Sequence, residues 1–153
     1  MKHSGFHACA LALTLALFGC ASTPEASRSR DAEAKEFDVQ PGAATVYVYR
    51  SPLNTDTDDN VLYVDNRLIG STVPGTYFRI FLTPGKHTLH GIGFDLGKLT
   101  FDARPGELYF VDLAVIIGHS NYQLVPPPQG RLAVEQCCVL LENWAPGQRP
   151  LLR

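Results

Sequence analysis

A mainly β fold, a small antiparallel sandwich with a short C-terminal helix, is predicted by three observations. Apolar residues recur with period two from Ala44 onward, Pro-Gly pairs punctuate these runs, and strand signals return about every 8 to 12 residues. The chain has 153 residues, 45% of them apolar, which is enough for one modest domain. Its 13 Lys and Arg against 15 Asp and Glu leave no excess of positive charge to hold a phosphate backbone, so nucleic acid is excluded as an expected partner.

The amino end is an address and stands outside that body. Lys2 precedes Ala8 to Phe18, an uncharged run about half as long as the roughly 20 residues a membrane-spanning helix needs. Residues 1–19 therefore read as a signal peptide. Its exit, Leu17-Phe18-Gly19-Cys20, resembles the lipobox of bacterial lipoproteins, in which the Cys is acylated and becomes the first mature residue. The resemblance implies that Cys20 carries a lipid that attaches the protein to the membrane. Ala21, where an inner-membrane retention Asp would stand, implies an outer-membrane anchor with the domain facing the periplasm. Residues 20–42 are small, charged and poor in apolar side chains, which predicts a flexible tether.

The domain is expected over 43–145, with a tail at 146–153. Thr45-Val46-Tyr47-Val48-Tyr49-Arg50 alternates, as do Tyr77 to Leu82 and Lys98 to Ala103. Glu107 to Ile117 is rich in β-branched and aromatic residues, the composition of a more deeply buried strand. Asp65-Asn66-Arg67, Thr83-Pro84-Gly85-Lys86 and Arg104-Pro105-Gly106-Glu107 supply turns, the last two with Pro to preset φ and Gly to accept a positive one. After Pro126-Pro127-Pro128, the apolar positions from Ala133 to Leu141 space by three and four, which predicts a helix over Arg131 to Asn143.

ATVYVYR at 44–50, Gly75-Thr76-Tyr77-Phe78, Pro84-Gly85-Lys86-His87-Thr88-Leu89 and Pro105-Gly106-Glu107-Leu108-Tyr109-Phe110-Val111 together resemble a bacterial lipoprotein domain family of unknown function. That family is similar to PEGA-type surface β domains. The resemblance covers about residues 44 to 142. It implies a small β-sandwich behind a lipid anchor and no catalytic residues.

Candidate chemistry is sparse. His87 and His90, three apart in a strand, point to opposite faces and do not share a metal, so no metal or other cofactor is expected. Asn54 to Asn60 with Asp65 imitates a calcium loop, but lacks the central Gly and the closing Glu, and reads as a solvated connection. The glycines at 91, 93 and 97 precede a strand, where a phosphate cradle would open a helix. His119-Ser120 is a sequence neighbourhood without a nucleophile elbow. Cys137 and Cys138 have three open fates: a vicinal disulfide, a bridge between molecules, or buried thiols, the last being preferred.

The remaining candidate is a binding face. Tyr47, Tyr49, Tyr77, Arg79 and Phe81 lie opposite the most apolar positions, and aromatic and Arg side chains on an open sheet are what interfaces use. The competing reading is that both faces are covered, one by the second sheet and the other by the C-terminal helix. The expected function is a lipid-anchored, non-catalytic adaptor of the envelope that engages a protein or a glycan. The alternatives are a metal-dependent enzyme or factor using His87, His90, Asp95 and His119, and a structural or stress lipoprotein.

Overall fold

The computed structural model describes residues 23–54, 60–92 and 97–142. Helix α1 (Arg28–Ala34) leads into β1 (Ala44–Arg50), β2 (Asn60–Val64), β3 (Arg67–Thr72), β4 (Thr76–Leu82), β5 (Gly85–His90), β6 (Leu99–Ala103), β7 (Leu108–Ile116) and β8 (His119–Val125). Helix α2 (Pro127–Cys137) and the short β9 (Val139–Leu140) follow. One sheet runs β8-β7-β1-β4-β9 and the other β3-β2-β5-β6.

Period two explains the core. Val46 and Val48 of β1, Phe78 and Ile80 of β4 and Val111 and Leu113 of β7 meet Leu62, Val64, Leu89 and Phe101 of the smaller sheet in one buried cluster. The four-stranded sheet is antiparallel throughout. The five-stranded sheet is mixed, because β1 pairs in parallel with β7 and β4 with β9. The expected antiparallel sandwich therefore carries two parallel pairings, β7 reaching β1 only after the whole smaller sheet has been laid down. Hairpin β2–β3 turns on Asp65 and Asn66, both at positive φ, the geometry that keeps the twist of the flanking strands.

Two predicted segments are corrected. The C-terminal helix spans Pro127–Cys137 and not Arg131 to Asn143. A proline in the first turn removes only an amide with no helical partner, and beyond Cys138 the chain turns extended to pair with β4. Of the expected tether at 20–42, the described part, from Thr23 on, is folded against the domain. The backbone amide of Ala26 donates to Leu140 O at 2.8 Å, and that of Glu142 donates to Pro24 O at 2.8 Å. Ser27 caps α1 by accepting the Arg30 amide, and Ala34 and Phe37 are buried. A seven-residue helix is marginal alone; here the outer face of the larger sheet holds it.

Among the described residues, no helix is long and apolar enough to cross a membrane. The expected signal peptide, Cys20 and the 146–153 tail lie outside the described residues.

Candidate functional site

The outer face of the larger sheet carries the aromatic set read from the sequence, and it is closed. Tyr47, Tyr49 and Tyr77 are buried beneath the α1 segment and α2, together with Phe37, Phe110, Val134 and Leu140. Tyr47 stacks on Phe110 with centroids 5.1 Å apart, and its hydroxyl donates to Ala34 O at 2.6 Å. Tyr77 donates to Asp31 Oδ1 at 3.0 Å. Burial pushes the Tyr47 and Tyr49 hydroxyls up to about 12, and it raises that of Tyr77 further still, so all three stay protonated, and Tyr47 and Tyr77 act as donors.

Arg79 holds Glu33 of α1 through two bonds of 2.9 and 3.0 Å, and this guanidinium keeps the Glu33 carboxyl below its ordinary range. Its guanidinium also lies 5.5 Å from the ring of half-buried Phe81. Alternation identified the shared face of these five residues correctly. Of the two readings of that face, open or covered, the covered one holds, with one correction to its cover: the segment read as a tether joins the C-terminal helix over the tyrosines.

Asp31 anchors that cover. It accepts from Lys35 Nζ, Tyr77 and the Leu140 amide. Burial alone would raise its pKa, but these donors outweigh it and hold the carboxyl below its usual value. Lys35 Nζ also donates to Cys138 O at 2.7 Å. Cys137 and Cys138 form a vicinal disulfide where α2 gives way to β9, in place of the preferred buried thiols.

Among the described members of the alternative catalytic set, His87 stands apart from His119. His87 points inward, with Nδ1 2.5 Å from Asp65 Oδ2 and Nε2 2.7 Å from Thr83 O, so it fastens two turns at one end of the sandwich. His90 points outward and stacks on Tyr63. His119 opens β8 at the opposite end, and Asp95 lies outside the described residues. The ends of the calcium-like loop also diverge. Asn54 bonds Arg50 and Val115, Asn60 pairs with Thr72, and Asp65 bonds His87. Residues 55–59 and 93–96 lie outside the described set.

The sandwich has two unlike ends. At one, the loops expose Asp65, Asn66, Pro84, Arg104, Pro105 and Glu107. At the other, the last residue of β7 and the connections after β1, β5 and β7 carry the most exposed large apolar side chains among the described residues: Leu53 and Ile117 at 87%, Ile92 at 64% and Ile116 at 58%. Val73, between β3 and β4, adds a fifth.

Arg50, itself fully buried, organises this end by donating to Asn54 Oδ1 and Thr72 O, each at 3.0 Å. Asn54 in turn donates to Val115 O at 2.8 Å and accepts the Val115 amide. Sequence reading missed the cluster because it assigned Ile117 to a strand and passed over Leu53. The available signal was an aliphatic residue inside a turn, Pro52-Leu53-Asn54 and Ile117-Gly118.

A family described as "Protein of unknown function (DUF2846)" matches residues 40–126. A protein of Haemophilus influenzae, named only as uncharacterized, is 26% identical over 132 residues, which span 82% of this chain and 79% of that protein. No solved structure matches significantly.

Proposed function

Because the chain belongs to the DUF2846 family of proteins of unknown function, we propose its role from its own residues: a lipid-anchored, non-catalytic binding module of the bacterial envelope. The lipobox-like Leu17-Phe18-Gly19-Cys20 supports acylation at Cys20, and Ala21 after it supports an outer-membrane address with the domain in the periplasm.

The binding surface is the apolar loop end, and the observation that carries it is the convergence of Leu53, Ile92, Ile116 and Ile117 there. Solvent-exposed aliphatic side chains gathered on one end mark a contact surface, and an apolar patch favours a protein partner over a glycan. The Arg50–Asn54–Val115 bonds hold the Leu53 turn against the end of β7 before contact, which lowers the ordering cost of binding.

A photo-crosslinking residue placed at Ile117 in living cells should give a discrete adduct with a recurring envelope protein. The same probe at Asn66, on the polar end, should give none. Equal labelling at both positions, or none at Ile117, overturns the reading.

A further inference from the structure

Thr23 is firmly placed. It is buried, and its Oγ1 accepts the Ser71 amide of β3 at 2.7 Å. Glu25 bridges Leu141, and Pro24 and Ala26 bond Glu142 and Leu140. Residues 23–26 are therefore stitched to β3 on one sheet and alongside β9 on the other, the two edge strands on one side of the sandwich. Cys20 stands only three positions earlier.

Three residue steps reach at most about 11 Å. Strand β6, the other edge of the smaller sheet, lies three strand spacings from β3, which is about 14 Å. With so short a leash, the domain cannot turn its β6–β8 side toward the surface in which the lipid of Cys20 is embedded.

We propose that the β3–β9 edge is a membrane-facing surface, held directly against the bilayer, and that the β6–β8 edge points away from it. This rests on the acylation of Cys20 proposed above. A tether of some twenty residues would let the domain drift clear and present any face. The docked segment leaves three residues in its place. The strands then lie along the bilayer, so the apolar loop end faces sideways and meets partners held at the same surface.

The test uses the acylated full-length protein in vesicles of phosphatidylethanolamine and phosphatidylglycerol containing a headgroup-labelled quencher lipid. A fluorophore is attached at E25C or at Q123C, both exposed positions, with the Cys137–Cys138 bond left intact. Quenching should be at least threefold stronger at position 25 than at 123. A fifteen-residue Gly-Ser insertion between Ala21 and Ser22 should make the two equal while the protein stays membrane-bound. Equal quenching without the insertion, in protein whose mass confirms acylation, overturns the orientation and leaves the anchor standing. A mass showing unmodified Cys20 removes the anchor reading and the orientation with it.

Discussion

Asn54 shows how much one polar side chain organises. Its carboxamide satisfies the Arg50 guanidinium and both backbone groups of Val115, so Asn54→Ala leaves buried donors and acceptors without partners. The substitution should lower unfolding free energy in urea by about 1–3 kcal/mol.

Two carboxylates have opposite signs. The folded state holds Asp31 below the ordinary 3.8, so it binds fewer protons there than the unfolded chain does. Its stabilisation is present above pH 3.8 and is lost as pH falls through the lowered folded value. Asp31→Asn should therefore be less stable than the native protein at pH 7 and show a shallower acid limb in melts between pH 5 and about pH 2.

Asp112 is half-buried beside Tyr49, and burial raises its pKa. Its charge opposes folding at neutral pH, so Asp112→Asn should raise the melting temperature at pH 7. That gain should fade as acid protonates the native side chain.

At the scale of elements, close approach matters most where α2 crosses β7. A Cβ at Gly130 would stand 2.2 Å from the Phe110 side chain, which no rotamer of a stacked ring relieves. Gly130→Ala should cost about 1–3 kcal/mol by overpacking, although alanine favours helices, and thermal unfolding would measure it.

Legibility in the sequence divides along the same line. Strands β1, β4, β6 and β7 were readable because alternation and Pro-Gly turns are local signals. The aromatic face was readable too, since alternation sets Tyr47 and Tyr49 opposite Val46 and Val48. The α1 part of its cover was not. Helix α1 is held by Asp31 and Lys35 through bonds to Leu140 and Cys138, 109 and 103 residues away, and no local window contains both partners. The apolar end was hidden for a similar reason, because Leu53, Ile92 and Ile117 come together only through topology.

For the whole molecule, the 23–42 segment belongs to the domain. Removing residues 23–42 uncovers Tyr47, Tyr77 and Phe110 and deletes the Glu33–Arg79 pair, so the truncated protein should unfold or aggregate. A domain cut at residue 43 with its tyrosine layer intact and a native melting temperature would contradict this.

The pairing of Ala26 with Leu140 also dictates when the protein can fold. Its closing contacts join residues more than 100 positions apart, so they form only after most of the chain between them is in place. A ribosome that has delivered everything up to β8 has released a chain with an unfilled edge and bare tyrosines. Stable closure of that edge waits for the last strand.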